Sequence, residues 1–260
     1  MFTQAIVRKP GNNFANGLTT VGLGEPDYTT ALKQHEEYCR ALQRCGLSLV
    51  ILDPDLDFPD STFVEDTAVL TSHSAILTHL GAPSRVGEVA AIRPVLAQFY
   101  SQIYIIAEPG TIDGGDICEA GDDYFIGISG RTNTHGAGQL ARFLELEGFR
   151  VHSIDIRAVP GILHLKSGLA YLGNHRLVVV NALADRPELN GFELIHVSPT
   201  ENYAANCVRI NDFVLIAAGF PGLKSELEKA GYSLLVLNVS EFQKMDGGLS
   251  CLSLRFKYMR

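Results

Sequence analysis

The chain has 260 residues, 46% of them hydrophobic and 19% charged, without a low-complexity tract or a run of like charge, so a folded core is expected and disorder is not. A formal net charge of -8 with no Lys/Arg cluster excludes a nucleic-acid surface and mildly favours a cationic small molecule as partner. No segment approaches the roughly 20 apolar residues that span a bilayer, and Met1 to Pro10 lacks the pattern of a secretory leader, so we expect a cytoplasmic protein with no membrane partner.

In chain order the first predicted strand is Gln4–Arg8. A helix follows from Tyr28 to Arg44, with Asp27 before it, Tyr28, Leu32, Tyr38 and Leu42 near one face, and Gly46 after it. Ser48–Leu52 is the next strand. A recurring unit then begins, in which two short strands lead through a helix or loop to a third. Its first copy starts at Phe63-Val64-Glu65-Asp66, runs through Ala68–Leu70 and Ala75–Thr78, takes a helix from Glu88 to about Tyr100 that Pro94 interrupts, and closes at Gln102–Ile106. The second starts at Gly114-Gly115-Asp116-Ile117, continues through Tyr124–Ile128 and a helix from about Asn133 to Glu147 with Gly148 as its C-cap, and closes at Val151–Ile156. The third starts at His164-Leu165-Lys166, has no strong helical pattern in its middle, and closes at Phe192–Val197. The fourth starts at Ala204-Ala205-Asn206-Cys207 and carries a helix from about Pro221 to Lys229 before Ser233–Leu237. The fifth is split, because Ser250–Phe256 supplies the first strand of the unit that the N-terminus completes.

The heads of these units are evenly placed. Successive differences among Asp66, Asp116, His164, Asn206 and Cys251 are 50, 48, 42 and 45 residues. A repeat of this length with short strands predicts an α/β propeller of five ββαβ repeats around a central active-site cavity. Residues 1–260 then form a single catalytic domain, the last strand completing the N-terminal repeat and leaving no open sheet edge. Ordinary α+β elements with coincidental spacing are the plain alternative.

The same arithmetic puts polar residues at the first strand of each unit, aimed inward. A Cys, a His and several carboxylates lining one cavity form a reactive constellation. Cys251 follows Gly247-Gly248, which permits tight backbone geometry and close approach of a ligand. Taken alone, it reads first as a packed structural thiol. Paired with His164 it becomes a nucleophile with a general acid/base. Five cysteines without a C-x-x-C pair suggest neither zinc nor a redox motif, and a cytosolic protein keeps such thiols reduced. Carboxylates come from Asp57 to Asp66 and from Asp113 and Asp116. Facing one cavity they would repel each other unless they met a cation, and a planar guanidinium pairs with carboxylates in two-point fashion.

Together these stretches resemble one known family. Phe-Val-Glu-Asp at 63–66, Asp-Gly-Gly-Asp at 113–116, Arg-Thr-Asn at 131–133, Leu-His-Leu-Lys at 163–166, Ala-Ala-Asn-Cys at 204–207 and Asp-Gly-Gly-Leu-Ser-Cys at 246–251 resemble the dimethylarginine dimethylaminohydrolases. These belong to the guanidino-group-modifying (pentein) superfamily, with arginine deiminases and amidinotransferases. The resemblance runs from about Phe2 to Phe256 and implies a five-bladed ββαβ propeller. It implies Cys251 as nucleophile, His164 as general acid/base and Asp113 as the acid that orients the His. Glu65 and Asp66 match residues holding a guanidinium. Arg85 and Arg131 match residues near a substrate carboxylate. Leu18, Asp60 and the backbone of Met245 match the site for the α-amino end.

The implied reaction forms a covalent thiouronium on Cys251 and ends in citrulline, with no metal or organic cofactor required; zinc on Cys251 and His164 would inhibit. The substrate's own charge can favour the thiolate. The implied partner is a small cationic amino acid, and a homodimer stays open. Two other activities stay open within the superfamily, a citrulline hydrolase and an arginine deiminase, although a typical deiminase is longer. An inactive arginine-analogue-binding propeller is disfavoured by the presence of Cys251, His164 and Asp113 together. Gly11 to Gly24, with Leu18 in its middle, would suit a segment that closes over substrate.

Overall fold

The computed structural model describes residues 1–258. In chain order the elements are β1 (Gln4–Arg8), α1 (Tyr28–Arg44), β2 (Ser48–Leu52), β3 (Ala68–Leu70), β4 (Ala75–Leu77), α2 (Glu88–Leu96), β5 (Ile103–Ile105), β6 (Ile117–Ala120), β7 (Asp123–Ile128), α3 (Thr134–Leu146), β8 (Arg150–Asp155), β9 (Leu169–Tyr171), β10 (Arg176–Val180), α4 (Asn181–Ala184), β11 (Glu193–Val197), β12 (Val208–Ile210), β13 (Phe213–Ala217), α5 (Pro221–Lys229), β14 (Ser233–Leu237), α6 (Ser240–Gln243) and β15 (Leu254–Phe256). The chain divides into two compact units, one comprising Met1–Glu65 with the chain from Cys207 onward, the other Asp66–Asn206.

The first unit holds two three-stranded sheets, β15-β1-β2 and β12-β13-β14. β15 joins β1 antiparallel, with Ala5 opposite Arg255, and β1 runs parallel to β2, with α1 making the crossover. Parallel neighbours need such a crossover, and a helix is its usual form. α1 starts where the Asp27 carboxylate accepts the Thr30 N–H at 2.7 Å, and it ends at Cys45 before Gly46 at φ +89°, a left-handed conformation that favours glycine. Its buried Ala31, Gln34, His35, Tyr38, Ala41 and Leu42 recur at helical spacing.

The second unit holds three sheets of the same construction, β3-β4-β5, β6-β7-β8 and β11-β10-β9. In each, the first pair is antiparallel and the second parallel. The five ββαβ repeats expected from the sequence are thus present. Middle strands are the most apolar because both faces are covered; β7 is buried at every position. Leu140 and Leu144 of α3 are fully buried in a core with Val69, Ile76, Ile117, Tyr124 and Ile126, each leucine contributing roughly 1.5–3 kcal/mol relative to an exposed one.

The repeat heads differ from the expectation. Asp66, Asp116 and Cys251 are not on strands. Each lies within a single 3-10 turn, respectively Val64–Thr67, Gly114–Asp116 and Ser250–Leu252, just ahead of β3, β6 and β15. His164 opens the turn Leu165–Ser167, and Asn206 closes the turn Pro199–Ala205. The physical reason is local. The side chains of Asp66, Asp116 and Ser167 accept backbone N–H groups of nearby turns, which competes with extension of the ladder. Two smaller differences follow from residue type. Pro94, without an N–H for the Ala90 carbonyl, lies inside α2, which ends at Leu96 short of the expected Tyr100. The third repeat crosses over through the four-residue α4 and a turn at Pro187–Leu189, in keeping with its weak helical pattern.

Candidate active site

In the second unit the turn Asp113 to Asp116 organises a buried polar cluster. His164 Nε2 lies 3.0 Å from Asp113 Oδ2, and the other Asp113 oxygen accepts the Gly81 N–H at 2.8 Å. Asp66 accepts the Gly115 N–H at 2.9 Å on one oxygen and Arg85 Nη1 at 2.8 Å on the other. Arg85 is buried, and it also meets Glu88 two-point fashion, Nε and Nη2 donating at 2.8 and 2.9 Å. Burial alone would strip His164 of its proton. Asp66, Asp113 and Asp116 outweigh that cost, and the imidazole is pushed up to about 9. Burial likewise opposes charge on Asp113, but the hydrogen bond and charge of His164, with Arg85 and the Gly81 N–H, hold its carboxyl below the usual carboxylate range. His164 and Asp113 are thus an imidazolium–carboxylate pair at neutral pH, a protonated acid ready to donate.

Gly115 makes this arrangement possible. A β-carbon there would sit 2.7 Å from His164 Nδ1 and 3.0 Å from Asp66 Oδ1. Gly115→Ala is therefore expected to push the ring off Asp113 and to lower kcat by about 10²-fold, the scale on which a 1 Å misplacement acts. Thermal melting run beside the kinetics checks that the loss exceeds any loss of fold, and an unchanged kcat would show that ring position is not critical.

Arg131 lies in the turn between β7 and α3. Ser129 Oγ accepts the N–H groups of Arg131 and Thr132 at 2.9 and 3.0 Å. The Arg131 backbone packs on Gly81, whose β-carbon position would be 2.1 Å from the Arg131 carbonyl oxygen. Its Nη1 is buried and has no hydrogen-bond partner among the described residues. A buried guanidinium nitrogen without a partner is costly, and an anion is its natural complement. Asp66, Asp113 and His164 each offer a ligand atom within 4.8 Å of the others, a spacing a cation could bridge. All three already carry the protein partners just given.

The first unit holds Cys251 at intermediate exposure, with the Gly248 N–H 3.4 Å from its sulfur. Gly247 packs beneath Phe63, which a β-carbon would meet at 2.2 Å, so the segment leading to Cys251 accepts no side chain there. Ser250 Oγ donates to Glu65 Oε2 at 2.8 Å, and Arg255 Nη2 donates to Glu65 Oε1 at 2.7 Å. Arg255 Nη1 also donates to the Ser250 carbonyl at 2.9 Å, so one partly buried cation braces both the turn of Cys251 and the Glu65 carboxylate. Asp60 accepts the Leu18 N–H on both oxygens, at 3.0 and 3.1 Å. A β-carbon on Gly17 would meet Asp60 Oδ1 at 2.5 Å and Met245 Cε at 3.2 Å. Leu18 itself is exposed, and the segment beyond it is tied down where Thr19 donates to the Lys244 carbonyl and Thr20 to Asp246.

Of the ten site residues expected from the sequence, the second unit gathers Asp66, Arg85, Asp113 and His164, with Arg131 on the neighbouring turn, and the first gathers Leu18, Asp60 and Met245, with Glu65 against the turn of Cys251. Sequence reasoning missed Glu88, Ser129 and Arg255. Glu88 is three residues from Arg85, and Arg255 interrupts an apolar strand, so both left a signal.

The model of the family "N,N dimethylarginine dimethylhydrolase, eukaryotic" matches residues 24–249. The N(G),N(G)-dimethylarginine dimethylaminohydrolase of Pseudomonas aeruginosa is 42% identical over 257 residues, covering 98% of this chain and 100% of that one. The enzyme of the same name from Streptomyces coelicolor is 34% identical, covering 98% and 97%. Among solved structures, a Cys-to-Ser variant of the P. aeruginosa protein in complex with citrulline superposes with a TM-score of 0.95 over 98% of this chain and 100% of that one, at 42% identity. A His-to-Gly variant as an adduct with S-methyl-L-thiocitrulline gives the same figures. The N-terminal domain of a cyanobacterial arginine dihydrolase, at 18% identity and a TM-score of 0.86 over 98% of both chains, shares the fold.

Proposed function

The chain belongs to the dimethylarginine dimethylaminohydrolase family, and from that premise we propose that it hydrolyses Nω-methylated arginine to citrulline and methylamine or dimethylamine, with residues 1–260 acting as one catalytic domain. It is a hydrolase of amidine C–N bonds. The observation that carries the residue assignment is the buried His164–Asp113 pair, whose imidazole holds its proton at neutral pH.

In the proposed mechanism the Cys251 thiolate attacks the guanidinium carbon and a C–S bond forms. The adduct collapses as His164 gives its proton to the departing amine nitrogen, the C–N bond breaks, and a cationic thiouronium remains on sulfur. Neutral His164 then takes a proton from water, hydroxide adds to the same carbon, the C–S bond breaks to return the Cys251 thiolate, the added hydroxyl gives its proton to solvent, and citrulline leaves. Asp113 stabilises the imidazolium at each stage at which it is charged. Asp66 and Glu65 are assigned to the guanidinium end. Arg131 is assigned to the substrate carboxylate, a role supported by its unpartnered buried Nη1. Arg85 is assigned to the same end, though Asp66 and Glu88 share its charge. Asp60, Leu18 and the Met245 backbone take the α-amino group. The chemistry needs a reduced thiol, which suits a cytoplasmic enzyme.

Substrate choice is tested by the specificity constants for asymmetric dimethylarginine, monomethylarginine and arginine. We expect the methylated compounds to be preferred. A higher kcat/KM for arginine would reassign the chain to deiminase chemistry.

A further inference from the structure

Beyond the charge it sets against the His164 imidazolium, the buried carboxylate of Asp116 joins the two turns that carry His164 and Arg131. Its Oδ1 accepts the Leu165 N–H at 2.9 Å, immediately after His164. Its Oδ2 accepts Ser129 Oγ–H at 2.7 Å. That hydroxyl spends its one proton on Asp116, so its lone pairs are free to accept the Arg131 and Thr132 N–H groups. Ser129 N–H closes the same turn on the Thr132 carbonyl at 3.0 Å. Asp116 has zero exposure, and Gly127 leaves room for it, since a β-carbon there would lie 2.9 Å from Oδ1.

We propose that Asp116 is a positioning residue that fixes, through the Leu165 N–H on one oxygen and Ser129 on the other, the turn of the acid/base His164 and the turn of the carboxylate-reading Arg131 in one register. The inference rests on the functional reading given above. Without the carboxylate, Ser129 loses the acceptor that orients its hydroxyl, and the Arg131 turn loses the oxygen that two of its N–H groups share. The substrate's reacting end and its carboxylate end are then set by one rigid group, which makes Asp116 and Ser129 determinants of specificity for an amino acid over a simple alkylguanidine.

The test compares asymmetric dimethylarginine with its decarboxylated analogue, which offers the same guanidinium and no carboxylate. Ser129→Ala is expected to raise KM for dimethylarginine about tenfold, the scale of one lost hydrogen bond to a charged system, with kcat nearly unchanged and kcat/KM for the analogue unchanged. Ser129→Thr, which keeps the hydroxyl, restores KM. Asp116→Asn raises KM and lowers kcat together, because the Leu165 turn loosens and one of the three charges facing the His164 imidazolium is lost. Should Asp116→Asn fail to fold, the two Ser129 variants decide. Wild-type behaviour of Ser129→Ala on dimethylarginine, or equal losses on both compounds, overturns the proposal. Wild-type protein inert toward both compounds is a failure of the functional reading itself and takes the proposal with it.

Discussion

Replacing Cys251 by Ser is expected to abolish citrulline formation, lowering kcat by roughly 10⁴-fold or more, while the protein stays folded and still binds citrulline. The substitution changes one atom at a partly exposed site on the turn Ser250–Leu252, and the bonds that brace that turn, from Arg255 to the Ser250 carbonyl and from Ser250 to Glu65, do not involve the sulfur. Stability should therefore hold. A hydroxyl is far less acidic than a thiol and a weaker nucleophile toward a guanidinium carbon, and nothing in the mechanism deprotonates it before attack. Citrulline formation at a fixed enzyme concentration, beside the thermal shift produced by added citrulline, reads both halves. Turnover surviving in the variant would remove Cys251 from the mechanism.

The second large effect is expected from Asp113→Asn. The carboxylate is fully buried, 3.0 Å from His164 Nε2, and is one of three that keep the imidazole protonated up to about 9. An amide keeps the shape and loses the charge. General-acid help to the departing amine then weakens, and kcat should fall by roughly 10²–10⁴-fold. The alkaline limb of the kcat profile should also move to lower pH, because Asp66 and Asp116 remain but the carboxylate hydrogen-bonded to the ring is gone. The same shift has a stability signature. Folded His164 keeps its proton to about 9, whereas the ordinary imidazole loses it near 6.5. Its contribution to stability is complete below about 6.5 and is lost as pH rises through about 9, so the wild-type protein should lose stability across that window. In Asp113→Asn the slope flattens. An unchanged alkaline limb in the variant would mean that Asp113 does not control the His164 proton.

Much of the fold was legible because its signals are local. α1 falls where its cap Asp27, its apolar spacing and the trailing Gly46 place it, α5 runs from Pro221 to Lys229 as expected, and β1, β2, β3 and β14 match their apolar runs. The repeat was legible in the even spacing of Asp66, Asp116, His164, Asn206 and Cys251, since each unit has the same length of chain to spend. What those residues sit on was not legible. A polar residue ahead of a short apolar run reads as the start of a strand, and only the partners of its side chain, here the N–H groups of Gly115 and Leu165, turn the backbone into a 3-10 turn. The roles of the residues were carried by an ordered set of motifs. Their supports were less so: Arg255 showed only as a charge within an apolar strand, and Ser129 acts through backbone N–H groups that leave no motif.

The central claim is a covalent intermediate on Cys251, and it is tested most directly by intact and peptide mass measurement of a His164→Ala variant incubated with S-methyl-L-thiocitrulline. The methanethiolate of that compound leaves without a proton from His164, so the first half of the reaction proceeds. No base remains to activate water, so the adduct should persist. The account predicts a mass gain equal to neutral S-methyl-L-thiocitrulline less methanethiol, confined to the peptide that contains Cys251. A folded variant that shows no adduct, or carries it on another residue, would contradict it.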